Sequence, residues 1–169
     1  MCIFFIVILF SSCAGTKALP QLYVSISLEN SMAQRIQAIQ GTTSWEVRTV
    51  FSHTLTESDS VHPLQLWDDA LKAATLQLKN GESEMVFQFS TPPIAIAAWR
   101  WDAKYIGISD VDAATFELLN VEACGRAIII VDDGNDYIYE VSATWSQGFS
   151  FFSFLILSQQ IDGSETEAE

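Results

Sequence analysis

The sequence predicts an all-β protein, an antiparallel sandwich of seven to nine strands. Three observations carry this. Apolar residues recur mainly with a period of two. The runs are short and rich in β-branched and aromatic side chains. Turn signals separate them about every 8 to 15 residues, the spacing of sandwiches and barrels.

The elements follow in order. Residues 22–28 read LYVSISL, with Leu22, Val24, Ile26 and Leu28 on one face. A helix is expected over 31–40, where Met32, Ile36 and Ile39 share a face and Gly41 is placed to cap it. A short helical turn is expected over 66–72. Leu76 and Leu78 alternate with Gln77 and Lys79, and Asn80-Gly81 then predicts a hairpin into MVFQF at 85–89. Pro92-Pro93 precedes IAIAAWRW at 94–101, and TFELL follows at 115–119. The continuous run AIIIV at 127–131 suits a central strand. Residues 137–145, YIYEVSATW, put Tyr137, Tyr139, Val141, Ala143 and Trp145 on one face. Gln147-Gly148 turns the chain into the last strand, 149–157.

The segment DDGND at 132–136 leads into Tyr137, as the tyrosine corner of an immunoglobulin-like sandwich leads into its Tyr. Tyr139 then takes the inward place two residues on. The predicted fold is therefore an antiparallel immunoglobulin-like sandwich.

Composition narrows the function classes. The chain has 169 residues, 8 Lys+Arg against 21 Asp+Glu, and a formal net charge of -13. Nucleic-acid binding needs a basic face and is excluded on that ground. Apolar residues make up 49% of the chain, which is too many for a disordered polymer. Three Cys make no disulfide-stapled miniprotein.

Residues 1–10 read MCIFFIVILF, wholly apolar and uncharged. As helix this run spans roughly 15 Å, half of a ~30 Å bilayer core, which suits the apolar region of a signal peptide. Ser11, Ser12 and then Cys13 follow. This order resembles the lipobox of bacterial lipoproteins, which implies that Cys13 is lipid-modified and begins the mature chain. Phe10 stands where that pattern usually has Leu, and no Lys or Arg precedes the apolar run. A plain secretory signal, an uncleaved anchor and a cytosolic apolar N-terminus are the alternatives. The organisation expected is a lipoprotein signal peptide at 1–12, a tether at 13–20, the β-sandwich domain at 21–158 and an acidic disordered tail at 159–169. Cys124 is then the only thiol left in the mature chain, and an inert buried one is expected.

Five motifs carry a wider resemblance: GTTSW at 41–45, DSVHPL at 59–64, Trp101 after a strand run, YIYEVSATW at 137–145, and Gly148 with Ser150, Phe152, Ser153 and Phe154. Together, over roughly residues 22–157, they are similar to a family of uncharacterised extracytoplasmic domains in Gram-positive bacterial lipoproteins. Similar domains follow β-lactam-sensor-type membrane metallopeptidases. The family's Arg-Cys-Trp element stands here as Trp99-Arg100-Trp101, without the Cys. The resemblance implies the address and the fold, and it transfers no catalytic residue.

Candidate chemistry is sparse. His53 and His62 are the only histidines. His62 lies near Glu57 and Asp59, but turn bonding by Asp59 and Ser60 explains that loop better than a metal. The DDGND acids lack the spacing of a calcium-binding EF-hand loop. No GxSxG nucleophile elbow is present. No catalytic residue, metal or cofactor is expected. The last strand is apolar on both faces: Ser150, Phe152, Phe154 and Ile156 suit the core, while Phe149, Phe151, Leu155 and Leu157 then point outward. Either the chain's own loops cover that outer face or it meets a partner. Phe149, Phe151, Trp99 and Trp67 are the expected partner surface.

The function these readings favour is a non-catalytic binding or interaction module, lipid-anchored on the extracytoplasmic face of the cell membrane. Its partner would be a cell-surface protein or a cell-wall component. The alternative is a carrier of small apolar ligands with an aromatic β-barrel cavity.

Overall fold

The computed structural model describes residues 18–27, 34–48, 50, 52–66, 69–79, 81–122, 126–131 and 135–159. The segment 1–12, Cys13, Trp67, Cys124, the turn residues 132–134 and the tail residues 160–169 lie outside them.

Among the described residues, eleven strands and one short α-helix make up the fold: β1 (Leu22–Ser27), β2 (Gln34–Gln37), β3 (Ile39–Arg48), β4 (His53–Ser58), α1 (Asp69–Ala73), β5 (Thr75–Lys79), β6 (Gly81–Phe89), β7 (Ala95–Asp102), β8 (Phe116–Leu119), β9 (Arg126–Val131), β10 (Tyr137–Trp145) and β11 (Gly148–Gln159). They form two open sheets and no closed barrel. The small sheet runs β2-β1-β6-β9. The large one runs β4-β3-β11-β10-β7-β8, with β5 added parallel to β11. Strand β3 pairs with β11 from Gly148 to Ser153 and β5 pairs with it from Leu155 to Gln159, so one long strand carries two partners in succession.

The connectivity is that of an immunoglobulin-like sandwich. Strands β6 and β9 are neighbours in one sheet, and β7, β10 and β11 are neighbours in the other. The chain changes sheet after β6, after β8 and again after β9, and β10 and β11 form a hairpin. Strand β8 extends the large sheet as an additional strand of variable-type domains does. Tyr137 opens β10, and Tyr139 is fully buried, stacked on Phe154 at 5.0 Å between ring centroids.

Alternation fills the space between the sheets. The small sheet contributes Leu22, Val24, Ile26, Met85 and Phe87, and β5 beside β11 contributes Leu76 and Leu78. From the large sheet come Tyr139, Val141, Ala143, Trp145, Phe152, Phe154 and Ile156. Edge-to-face rings lock the centre: Trp45 on Trp145 at 5.5 Å, and Phe89 on Trp145 and Phe152 at 5.8 and 5.9 Å. Leu19, ahead of the first strand, already packs against this core. A second cluster lies on the opposite face of the large sheet. There Leu64 and Leu71 cover Trp101, Ile138 and Leu155.

Four sequence expectations change. The count rises above seven to nine strands because β2, β3 and β4 form where a helix and a loop were expected. The apolar spacing at 31–40 fits a helix, yet Ile36 pairs across from Val24 on β1, and sheet hydrogen bonds decide it. Asn80-Gly81 makes no hairpin: β5 and β6 belong to different sheets, so the chain crosses the sandwich there. The run at 127–131 lies at the edge of the small sheet, paired to β6 alone among the described residues. Of the helical turn expected over 66–72, a short helix forms at Asp69–Ala73 as α1, Leu66 is not helical, and residues 67–68 lie outside the described residues. Among the described residues no helix is long and apolar enough to cross a membrane.

Two substitutions test this packing. Gly148 has φ of +150° and faces Trp45 and Trp145 across its two neighbours, and a Cβ there would overlap the Ser44 carbonyl. Gly148→Ala is expected to lower unfolding free energy by at least about 2 kcal/mol in urea titration. The Trp145 indole donates to the Thr91 carbonyl at 2.9 Å, whereas the buried Trp45 indole N–H has no partner among the described residues. Trp145→Phe should therefore cost about 1 kcal/mol more than Trp45→Phe in the same assay.

Candidate binding site

The outer face of the large sheet carries the candidate site. Odd-numbered positions of β7 point to this face, so Trp99 and Trp101 stand side by side on it. Across the ladder, Trp99 pairs with Glu140 on β10 and Leu118 on β8, and Trp101 pairs with Ile138 and Phe116. Strand β11 contributes Phe149 and Phe151.

These side chains form a continuous row of rings. Phe149 meets Phe151 at 5.8 Å, Phe151 meets Trp99 at 6.2 Å, Trp99 meets Trp101 at 6.3 Å, and Trp101 meets Phe116 at 6.2 Å between centroids. Trp101 is buried by the strap, while Phe116, Leu118 and Phe149 are 62%, 68% and 38% exposed. Exposed apolar side chains clustered in this way mark a contact surface more often than isolated ones do.

The strap is the segment from β4 to α1. Thr42 Oγ1 accepts from the Ser60 N–H at 3.2 Å and holds its start. His62 then caps a single 3-10 turn at Pro63–Gln65: its Nδ1 accepts from the Leu64 N–H at 3.2 Å. That bond requires a free lone pair on Nδ1, so the neutral ring carries its proton on Nε2. The ring stands edge-on to Trp101 at 5.0 Å. Pro63 and Leu64 are buried beneath the turn.

Where the strap stops, a cleft of about 410 Å³ opens, lined by His62, Trp99, Trp101, Phe116 and Glu140. Glu140 is the one acid among the described lining residues. Burial raises the Glu140 pKa to about 7, against a hydrogen bond from the Trp99 side chain that favours the charged form. Burial lowers the His62 pKa, and nearby Asp112 partly opposes this, so the imidazole is neutral at pH 7. At neutral pH the cleft thus presents aromatic walls, a neutral imidazole and a carboxyl close to its titration midpoint.

Arg100 lies between Trp99 and Trp101 in sequence but points to the other face. Its Nε donates to Glu117 at 2.6 Å, and its guanidinium lies over the Tyr137 ring at 4.1 Å. Among the described residues no group of three or more His, Cys, Asp or Glu is placed to hold a metal ion.

Of the partner-surface residues expected from sequence, Trp99, Phe151 and Phe149 come together, and Trp67 lies outside the described residues. Leu155 and Leu157, also expected to face outward, do so but meet the second cluster beneath the strap. Sequence reading missed Glu140, Trp101 and Phe116 as lining residues, and it weighed His62 only as a metal ligand, set aside in favour of turn bonding by Asp59 and Ser60. Glu140 carried a signal: it is the single charged residue within the apolar run of 137–145. No protein-family model, no curated protein and no solved structure matches the chain.

Glu140 links the cleft to stability. Its ordinary value of 4.5 rises to about 7 in the fold, so the native state binds more protons between those pH values. The favourable contribution is complete below pH 4.5 and is lost as pH climbs through 7. Glu140→Gln is therefore expected to raise stability relative to wild type at pH 8, by on the order of 2 kcal/mol, and to have little effect at pH 4. Urea midpoints at the two pH values measure the difference.

Proposed function

We propose that this protein is a non-catalytic binding module, held on the extracytoplasmic face of the cell membrane by a lipid on Cys13. Its binding surface is the outer face of the large sheet, where the ring row from Phe149 to Phe116 ends in the cleft. The observation that carries the reading is the half-finished cover of that face. The strap buries Leu155 and Trp101 but leaves Phe116, Leu118 and Phe149 in solvent. A surface needed only for folding gains nothing from exposing such side chains.

The partner this reading favours is a cell-surface protein or a cell-wall component. An acidic chain of net charge -13 repels anionic lipid headgroups, so the covalent lipid is what retains it at the membrane. The carrier reading survives in altered form. The sandwich interior is filled by the buried core, so a small apolar ligand would occupy the open cleft rather than a barrel cavity.

Intact mass measurement on the chain from native membranes tests the anchor. A species beginning at Cys13 and carrying a diacylglyceryl group is expected, and Cys13→Ala should leave the chain without that mass. An unmodified chain beginning at Met1 would overturn the anchor. Phe116→Ser and Phe149→Ser should each change stability by less than about 1 kcal/mol, as their exposure implies. A larger loss would mean that these rings serve the fold and would remove the surface from consideration.

A further inference from the structure

Three walls of the cleft are aromatic and stand at steep angles to one another. Trp99 and Trp101 meet at 82°, and Trp101 and Phe116 at 55°. Aromatic side chains thus make up three of the five described residues that line the cleft, and an aromatic ring carries a negative face able to attract a cation. Glu140 closes the same volume with a carboxyl group engaged by the Trp99 side chain. Among the described residues, those lining the cleft include no Lys or Arg. The nearest guanidinium along the chain, Arg100, is turned to the opposite face and engaged with Glu117. From this geometry we infer that the cleft is a site for a small organic cation whose charge is spread over methyl groups, a quaternary ammonium or N-methylated amine.

The inference rests on reading the outer face as a binding surface, and it names the ligand class. Cation–π attraction suits a large, weakly hydrated cation, which loses little hydration on entering an apolar cleft. A bare metal ion needs several oxygen ligands, and the described lining residues supply one carboxyl group. An anion would face Glu140 and the field of a chain with net charge -13. A volume of about 410 Å³ leaves room for the cationic head and a short attached chain.

Protonation sets when the site is ready. Across its two neighbouring strands Glu140 faces Trp99 and Ser153, neither of which is charged at neutral pH. From the strap the titratable group is His62, with Asp112 acting on it in turn. Glu140 loses its proton near pH 7 while His62 is already neutral, so the cleft gains one negative charge as pH rises. Affinity for a cation should rise roughly tenfold between pH 6 and pH 8 as the carboxyl group ionises.

Titration of the purified full chain with choline, followed by tryptophan fluorescence, tests the inference. The control is 3,3-dimethylbutan-1-ol, which has the same shape and no charge. Saturable change with choline, at least tenfold tighter than with the alcohol, is expected. Phe116→Ala should weaken choline binding roughly three- to tenfold, and its exposed position keeps the fold intact. Glu140→Gln should weaken it similarly and flatten the pH profile. Equal binding of choline and the alcohol would overturn the cation assignment while leaving an apolar binding surface standing. So would saturation by a soluble chitooligosaccharide without response to choline. No response to any of the three would overturn both the cation assignment and the cleft as a small-ligand site, and would leave the anchor at Cys13 to its own mass measurement.

Discussion

One strand has apolar side chains on both faces, and the rest of the molecule is arranged to cover it. In β11, Ser150, Phe152, Phe154 and Ile156 face the sandwich interior, while Leu155 and Leu157 face the other way. A strand of this kind is stable only in the middle of a sheet with material on each side. The small sheet supplies one cover. The strap from β4 to α1 supplies the other, and it extends over only part of the face. Phe149 and Phe151, near the start of the same strand, lie beyond it. The site follows from that incomplete cover.

The strap reaches its place because β3 is bulged. Between Ser150 and Phe152 on β11, β3 advances from Thr43 to Gln40, one residue more than its partner. The extra residue lets Gln40 and Thr43 both reach the buried Ser150 hydroxyl, at 2.9 and 2.5 Å. Gly41 sits at the bulge, where a Cβ would come within 2.9 Å of the Ser60 hydroxyl at the start of the strap. The sequence segments GTTSW, DSVHPL, Trp101, YIYEVSATW and the start of β11, dispersed along the chain, meet here as one assembly. The first makes the bulge, the second is the strap, and the others are the strands the strap crosses.

The cleft is the place where the fold departs from pure burial. A carboxyl group on an outer face could sit in water at no cost, yet Glu140 is held against Trp99 and pushed towards neutrality. An apolar or amide side chain would suit that position better for stability alone. Perturbed titration in an aromatic recess is the usual mark of a group kept for interaction. The neutral His62 opposite it adds a second polar atom, Nε2, that its capping bond does not use.

The sequence by itself determined the all-β class, the strands with clean alternation and the two-sided character of β11. Each of these is written in local periodicity, which is a property of neighbouring residues. It also singled out Phe149, Phe151 and Trp99 by their excess of apolar surface. Tertiary structure alone decided which strands are neighbours. Residues 34–37 fit a helix as well as a strand until β1 offers them a ladder, and Asn80-Gly81 fits a hairpin until β5 finds β11 instead of β6. The cleft belongs wholly to that second level. His62, Trp101, Phe116 and Glu140 lie up to 78 residues apart between His62 and Glu140, and only the register of three strands and the path of one strap bring their side chains around a common space.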